Sequence, residues 1–444
     1  MNHATPAPVS EDTATTEATS SQKSLITTAI IVTMALLAAV APFATDLYLP
    51  AFPSMVDELA SSTAVIQLSL TAFLVGVAVG QLIFGPLSDR LGRRRPLVVG
   101  AAIFVLASVA TALAPTAALL ISARLAQGLA GAAGMVIGRS VIADLARGSE
   151  AARAFSALMI VGGVAPVIAP VTGSLLADVI GWRGLLWIVA SIGVIALISI
   201  LMVVPETHKP TARLPADARP SLLATLRPLS SRQYLGATLG FAFSFSTMMA
   251  YISASPFLYQ ITLGFDSVQY GLAFGLNALV LMATSALAMR LTTRLGVRRI
   301  ARIGLSFNLG AIVVLTGLVA FGAPSLTFAL PILVAVGALG LVFGTTTAMA
   351  LEAAPAVAGT ASAFLGFAQF ALAGLAAPLV GLGGANTVVP LAVTMLVGSM
   401  VASAVFSLTR PSTDDTESLS DAEVESLLAT PDAPVTPDAH IRSI

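Results

Sequence analysis

The chain has 444 residues, of which 57% are hydrophobic and only 10% carry a formal charge. Soluble domains are nearer to about 45–50% apolar and 25% charged, so the composition predicts a protein whose main partner is the lipid bilayer. The formal net charge is zero and cysteine is absent. These features exclude disulfides and cysteine-based metal sites, and we expect no nucleic-acid partner.

Polar segments at both ends are expected to be disordered cytoplasmic tails. Residues 1–24 are rich in Thr, Ala, Pro and Ser, and residues 1–22 carry acidic side chains without Lys or Arg. They therefore lack the basic start of a cleavable signal peptide. Residues 410–444 are acidic: after Arg410 they carry eight acidic residues, four prolines and one arginine. A short acidic tail of this composition has too little apolar surface to fold alone.

Between the tails lie twelve apolar runs, each long enough to cross a bilayer as a helix. The predicted spans are 25–52, 63–86, 96–115, 117–142, 153–177, 184–204, 232–258, 268–290, 300–322, 326–350, 357–382 and 386–409. Six spans at 25–204 and six at 232–409 are separated by a polar linker at 205–231. The sequence thus predicts an all-α membrane protein of two six-helix bundles.

The basic residues predict the orientation, because loops on the cytoplasmic side carry an excess of Lys and Arg. Loops on the side of the two termini hold many of them, whereas the opposite loops hold only Arg183. Both termini are therefore expected to be cytoplasmic, in the inner membrane of the cell. The basic loop residues are Arg90, Arg93, Arg94, Arg95, Arg147, Arg153, Lys209, Arg213, Arg219, Arg227, Arg232, Arg290, Arg294, Arg298, Arg299 and Arg302.

The two halves are related by an internal repeat. A shift of 204 positions places Arg90 on Arg294, and both lie between the second and third spans of their half. This is a parallel repeat, as described for secondary transporters, and it predicts two pseudo-symmetric bundles. The copies differ at two pairs, Asp89 with Thr293 and Gly85 with Met289.

The repeated stretch also resembles a known motif. The pattern Gly85-x-Leu87-Ser88-Asp89-Arg90-x-Gly92-Arg93-Arg94 is similar to the cytoplasmic loop motif of the major facilitator superfamily. The resemblance covers residues 25–410 and implies a transporter, not an enzyme, that works by alternating access between its bundles. It also implies a cytoplasmic gate formed by Gly85, Asp89, Arg90, Gly92 and Arg93.

Three further stretches resemble one branch of that family. The first is similar to the first-span signature of drug:proton antiporters of the bicyclomycin/chloramphenicol-resistance type: Thr45-Asp46-Leu47-Tyr48-Leu49-Pro50-Ala51-Phe52-Pro53. Arg124-x-x-Gln127-Gly128 resembles the fourth-span motif associated with proton coupling. The fifth span resembles the antiporter helix motif at Gly162, Pro166, Pro170 and Gly173, but departs from it at Ala169 and Ser174.

Asp46 and Arg124 are the clearest ionisable residues inside the apolar spans. Such residues cost about 2.5–3.5 kcal/mol on membrane-insertion scales, so they are usually functional. At about 1.5 Å per residue, both lie roughly 9–12 Å from the outer ends of their spans. We therefore expect them to face each other and predict that Asp46 is the proton site, with Arg124 beside it. The alternative interpretation is a permanent salt bridge that ties spans one and four together.

Adaptable and isolated polar side chains inside the spans are candidates for binding a substrate. Span seven is rich in Phe and Met, which suit varied apolar ligands. Isolated amide side chains in lipid need a partner. The candidate substrate-binding residues are Tyr48, Gln67, Phe245, Met249, Tyr251, Asn277 and Gln369. The alternative for several of them is packing in the core or against lipid.

The sequence contains no phosphate-binding GxxxxGK[ST] loop, and its three histidines lie outside the spans. Energy should therefore come from a proton gradient, with no cofactor and no metal. Together with the resemblance, this predicts a monomeric, proton-driven multidrug exporter of small amphipathic drugs, such as phenicol- or bicyclomycin-like antibiotics. Two alternatives stay open: the same machine moves a small metabolite out of or into the cell, or the chain is a non-transporting receptor or scaffold.

Overall fold

In a computed structural model of the chain, the structure describes residues 27–146, 148–207, 227–384 and 387–409. The predicted tails at 1–24 and 410–444 lie outside these residues, as does most of the predicted linker at 205–231. The regular elements within the described ranges are helices, which confirms the all-α prediction.

The first half contains α1 (Thr28–Asp46), α2 (Phe52–Glu58), α3 (Thr63–Leu91), α4 (Arg94–Ala112), α5 (Ala117–Leu145) and α6 (Gly148–Val203). The second half contains α7 (Arg232–Phe257), α8 (Ser267–Leu295), α9 (Val297–Ala320), α10 (Ala329–Glu352), α11 (Ala358–Gly381) and α12 (Val389–Ser407). Within the described residues, 11 helical stretches are long and apolar enough to cross a membrane.

One of these stretches, α6, contains two of the predicted spans. Its 56 residues would extend about 84 Å as a straight helix, far beyond a hydrocarbon core of about 30 Å. The chain turns sharply at Gly181, whose φ of 65° would be strained for a residue with a side chain. The 11 stretches therefore contain the twelve predicted spans.

The connection between α3 and α4 is shorter than the sequence predicted. We expected the helix to end near residue 86, but α3 continues through Gly85 and Pro86 to Leu91. A proline inside a membrane helix removes only one backbone hydrogen bond, and neighbouring groups compensate for it. The turn is made instead by Gly92, whose φ is 94°, and α4 begins at Arg94.

Small residues allow α3 and α5 to approach closely. A methyl group on Gly76 of α3 or on Gly128 of α5 would overlap backbone atoms of the other helix. Glycines at such contacts are typical of membrane helices, where close van der Waals packing drives association. This pair of helices forms the frame in which Arg124 lies.

Contacts divide the chain into two compact units. The first contains the described residues up to 207, with Met249–Ala278 and Ala373–Pro390. The second contains 227–248, Leu279–Leu372 and 391–409. In the second unit, Asn308 donates to Ala335 O at 2.8 Å and accepts from Ser399 at 2.7 Å. The predicted bundle boundaries at 25–204 and 232–409 stay predictions.

Candidate functional site

Asp46 is the last residue of α1 and is buried, with 4% of its surface exposed. Its Oδ1 has no hydrogen-bond partner among the described residues. It interacts electrostatically with Arg124, but no ion pair joins the two side chains in the described chain. The carboxyl is thus near a positive charge without being bonded to it.

Arg124 lies fully buried on α5, inside a cage of polar and aromatic groups. Its Nη1 donates to Gln127 Oε1 at 2.6 Å, and Gln127 in turn donates to Ser108 Oγ at 2.7 Å. Its guanidinium carbon is 4.7 Å from the ring centre of Tyr48 and 4.4 Å from that of Phe73. Its Nε and Nη2 have no hydrogen-bond partner in the described part of the chain.

The antiporter helix motif lies on α6, and one end of it contacts the chain next to Asp46. A methyl group on Gly173 would overlap the carbonyl group of Leu47. Pro166 and Pro170 lie inside the helix. At the other end of the motif, a methyl group on Gly162 would meet nothing within 4 Å. The close contact of the motif is therefore confined to its Gly173 end.

Of the candidate substrate residues, Tyr48 contacts Arg124 and Gln67 lies on α3. Tyr48 is fully buried, and its hydroxyl is 3.1 Å from Ser69 Oγ. Gln67 donates from Nε2 to Ser253 O at 3.0 Å, whereas its Oε1 has no partner among the described residues. Tyr48 therefore has contacts with both the charged cage and the polar side of α3.

Asn277 lies in a second cluster of buried polar side chains. Its Nδ2 donates to the hydroxyl of Tyr251 at 2.8 Å and to that of Tyr259 at 3.0 Å. Its Oδ1 has no partner in the described chain. Tyr251 stacks on Phe274 with ring centres 5.8 Å apart, and Met249 is buried nearby in sequence. The first unit thus contains five candidate residues: Tyr48, Gln67, Met249, Tyr251 and Asn277.

The remaining two candidates, Phe245 and Gln369, belong to the second unit. Phe245 lies among aromatic rings, 5.5 Å from Phe370 and 6.0 Å from Phe343 between centres. Gln369 is half-buried on α11. Phe245 is therefore a half-buried member of an aromatic cluster in that unit.

The gate residues surround Arg93, which is buried between α3 and α4. Its Nε donates to Asp144 Oδ2 at 3.0 Å, and its Nη1 donates to Ser88 Oγ at 2.8 Å and to Asp89. Burial alone would lower the pKa of the Arg93 guanidinium, but the bonds and charges of Asp144 and Asp89 outweigh it and hold the pKa above its usual value. Arg93 is therefore a permanent cation that joins two carboxylates.

Glu206 binds backbone N–H groups at the start of α4. Its carboxylate accepts from the backbone N–H of Arg93 at 2.8 Å and from that of Arg94 at 3.3 Å. The first N–H groups of a helix lack partners within the helix and favour negative charge. The φ of 94° at Gly92 favours glycine there, and a methyl group on Gly92 would displace this carboxylate. Arg90 is exposed on α3.

Asp144 and Glu206 were missed by the sequence analysis. The gate motif includes Asp89 but neither of these two acidic residues, and the positive-inside rule considers only Lys and Arg. The available signal was their position, because each follows a long apolar run directly. An acidic residue at such a position is expected to bind an arginine or a helix start.

The two halves also share a hydrogen bond that the sequence did not predict. Arg94 Nη2 donates to Leu201 O at 3.0 Å, and Arg298 donates to Thr409 O. Under the 204-residue shift, Arg94 falls on Arg298. Each arginine therefore binds a carbonyl at or beyond the end of the last helix of its half, where cations are favoured.

The described residues contain no group of three or more His, Cys, Asp or Glu side chains that could hold a metal ion. The site is therefore made of one carboxyl, one guanidinium and hydroxyl and amide groups. Such groups can bind a small molecule and a proton.

Comparison with known proteins places this arrangement in a family. The model of the Major Facilitator Superfamily matches residues 34–378. An uncharacterized MFS-type transporter, YdgK of Bacillus subtilis, is 33% identical over 301 residues, covering 67% of this chain and 75% of that protein. A bicyclomycin resistance protein homolog of Haemophilus influenzae is 28% identical over 294 residues, covering 66% of this chain and 74% of that protein.

A further relative matches a shorter part of the chain, and a solved structure is similar in fold. The multidrug resistance protein MdtL of Escherichia coli is 29% identical over 247 residues, 55% of this chain, and the match spans 61% of MdtL. The crystal structure of a D-xylose–proton symporter superposes with a TM-score of 0.68 at 16% identity, over 84% of this chain and 96% of that one. This structural likeness shows the fold, and the predicted twelve-helix architecture is confirmed. The chain is a multi-pass membrane transporter, not an enzyme, and it belongs to the Major Facilitator Superfamily.

Proposed function

We propose that the chain is a proton-coupled exporter of small amphipathic drugs and that Asp46 carries the proton. The observation that carries this proposal is that Asp46 Oδ1 and two nitrogens of Arg124 are buried without a hydrogen-bond partner in the described part of the chain. A salt bridge would hold the carboxyl permanently charged. Because no such bridge forms among the described residues, we propose that the carboxyl can take up and release a proton. Ionisable groups inside membrane spans commonly serve as proton relays.

Arg124 links the charge of Asp46 to the aromatic cage. A cation over an aromatic ring gains about 0.5–2 kcal/mol. Two unit charges 4 Å apart attract by about 4 kcal/mol at an effective dielectric constant of 20. A charged Asp46 would therefore draw Arg124 away from the rings, and a protonated Asp46 would let it return. In this proposal, the position of Arg124 changes with each proton.

Tyr48 makes the substrate and the proton compete. Its ring contacts the Arg124 guanidinium, and its hydroxyl contacts Ser69. A drug that stacks on Tyr48 would displace Arg124 toward Asp46 and favour release of the proton. One proton that crosses a potential of 100 mV supplies about 2.3 kcal/mol, which would drive export.

The names of two relatives support a drug as the substrate. They are a bicyclomycin resistance protein homolog and a multidrug resistance protein. The buried tyrosine and amide groups suit a compound with an aromatic ring and hydrogen-bonding groups, such as a phenicol or a bicyclomycin-like antibiotic. Tyr48, Gln67, Met249, Tyr251 and Asn277 are the proposed contacts from the first unit.

The Arg93 cluster is the proposed cytoplasmic gate. Arg93, just before the start of α4, is bound by Asp89 at the end of α3, by Asp144 at the end of α5 and by Glu206 just after α6. The positive-inside rule supports cytoplasmic termini and a cytoplasmic position for this cluster. We propose that the chain works as a monomer in the inner membrane, without a cofactor.

Susceptibility testing distinguishes drug export from transport of a metabolite. Cells that express the chain, the Asp46→Asn variant or the Asp57→Asn control are exposed to a panel of antibiotics and dyes, with and without an uncoupler. Drug export predicts resistance with the wild-type chain and the exposed-surface control, and loss of resistance with Asp46→Asn or the uncoupler. Resistance to no compound would favour the metabolite.

A further inference from the structure

Tyr270 is a fully buried tyrosine near the start of α8. Its hydroxyl lies 3.1 Å from Ser255 Oγ, and Ser255 Oγ donates its own hydrogen to Ile252 O at 2.8 Å. A serine hydroxyl has only one hydrogen, and a carbonyl oxygen can only accept. Tyr270 is therefore the donor to Ser255, and no other group of the described chain bonds to its oxygen.

Two consecutive residues of α6 link the proposed proton site to the start of α8. A methyl group on Gly173 would overlap the carbonyl group of Leu47, which directly follows that site. A methyl group on Gly271, the residue after Tyr270, would lie 2.6 Å from Ser174 Cβ. These contacts, which all belong to the first unit, place the start of α8 near the end of α1.

Several elements pack around Asp46, and few of their groups can ionise. Arg124 of α5 and Tyr270 of α8 interact with Asp46 electrostatically. Tyr48 follows Asp46 by two residues and contacts Arg124. The residues of α3, of α6 and of the segment after α7 that contact the chain here are a serine, a glycine and a glutamine. Arg124 and Tyr270 are therefore the candidate donors to Asp46 from other helices.

The hydrogen bond that Tyr270 makes in this structure suits a protonated Asp46. A protonated carboxyl donates a hydrogen and needs an acceptor, which the Tyr270 oxygen provides. A charged carboxylate only accepts, and hydrogen bonds to an ionised group are roughly twice as strong as neutral ones. Loss of the proton would therefore favour a turn of the Tyr270 hydroxyl from Ser255 toward Asp46, whose Oδ1 has no partner among the described residues.

The ring of Tyr270 also contacts the proposed drug contacts. Its centre lies 5.9 Å from that of Tyr259 and 6.0 Å from that of Phe274. Tyr259 accepts a hydrogen bond from Asn277, and Phe274 stacks on Tyr251. A drug that binds Asn277 or Tyr251 would thus touch residues that pack directly on Tyr270.

We propose that Tyr270 is the second hydrogen-bond partner of the proton site: it donates to Ser255 while Asp46 is protonated and to Asp46 while that carboxyl is charged. The proton of Asp46 leaves to the solution, and the hydroxyl hydrogen of Tyr270 only changes its acceptor. This inference rests on the proposed proton role of Asp46. It adds a residue of α8 that stabilises the charged form together with Arg124.

Infrared spectroscopy of the Asp46 carboxyl tests the inference without a drug or a proton gradient. Purified protein in detergent is titrated while the C=O band of the protonated carboxyl is followed, and Asp46→Asn assigns the band by its loss. The variants are Tyr270→Phe, which removes the donor, and Ser255→Ala, which removes the competing acceptor. Tyr234→Phe is the control, because this buried tyrosine belongs to the second unit and donates to Ala361 O at 2.7 Å.

We expect Tyr270→Phe to raise the midpoint of this titration by about 0.5–1 pH unit, because the charged carboxylate loses a donor. Ser255→Ala should lower the midpoint by a similar amount, because the Tyr270 hydroxyl is then free to donate to Asp46. Tyr234→Phe should keep the wild-type midpoint. General loosening of the packing around Asp46 would instead move the midpoints of Tyr270→Phe and Ser255→Ala in the same direction.

A midpoint that either variant leaves unchanged, or shifts of the same sign in both, would overturn the inference and leave Asp46 as the proton site. A band that does not titrate in the wild type would overturn the proton site and the inference together. Opposite shifts in a chain that confers no drug resistance would contradict drug export and support the role of Tyr270.

Discussion

Arg93 Nε lies 3.0 Å from Asp144 Oδ2 and thereby ties the start of α4 to the end of α5. The side chains are 10% and 20% exposed, so water screens this pair only partly. Removal of one partner from such a pair leaves a charge that is poorly hydrated. The bond therefore matters more to stability than an exposed salt bridge would.

Asp144→Asn and Arg93→Gln should each destabilise the protein by about 1–3 kcal/mol, as expected for a hydrogen bond to a charged group. The double variant should lose less than the sum, because the second substitution removes the stranded charge. The measurement is the thermal unfolding of purified protein in detergent, with Arg95→Gln as the control. Strictly additive losses would show that the two side chains act independently.

Two glycines of the antiporter helix motif differ in their surroundings, so Gly162 can serve as the control for Gly173. Gly173→Ala should lower both stability and transport, because its methyl group would overlap the Leu47 carbonyl next to Asp46. Overpacking of this kind costs about 1–3 kcal/mol. Gly162→Ala meets open space on the same helix, and it should be neutral or stabilise by up to about 1 kcal/mol.

Unfolding midpoints and drug transport of the two variants test this prediction together. If Gly162→Ala is as damaging as Gly173→Ala, the whole motif acts through backbone flexibility. The close contact at Leu47 would then not be its main feature.

Substitution of Gln67 tests whether its buried amide contributes to transport. Its Nε2 donates to Ser253 O, but its Oε1 has no partner in the described chain. Gln67→Leu therefore removes one hydrogen bond and one unsatisfied group, and stability should change by less than about 1.5 kcal/mol. Transport should fall at least tenfold if Gln67 contacts the drug.

Gln81→Leu is the control for Gln67, because Gln81 is buried on the same helix and is not a candidate contact. It should leave transport within twofold of the wild type. Equal loss of transport in both variants, or unchanged transport in Gln67→Leu, would remove Gln67 from the proposed site. The readout is efflux of the drug from energised membrane vesicles.

The twelve spans could be predicted from the sequence because run length and polarity alone decide whether a segment crosses a bilayer. The end of α3 could not be predicted. Gly85-Pro86 normally signals the end of a helix, but a membrane helix tolerates this pair, and α3 continues through it. The turn depends instead on the positive φ of Gly92 and on Glu206, which lies far away in the sequence.

The candidate site was predictable in part for a similar reason. Asp46 and Arg124 stand out because charges are rare inside spans. That Tyr48 and Phe73, rather than Asp46, cover the guanidinium depends on how α1, α3 and α5 pack. Residue types likewise did not reveal that Phe245 belongs to an aromatic cluster of the second unit.

The central claim is that Asp46 exchanges its proton for the drug, and proton release on drug binding tests it most directly. Purified protein in weakly buffered detergent is mixed with the drug that gave resistance, and the pH change is recorded. The wild type and Asp57→Asn should release about one proton per bound drug, whereas Asp46→Asn should bind the drug and release none. Equal proton release by Asp46→Asn would contradict the proposal.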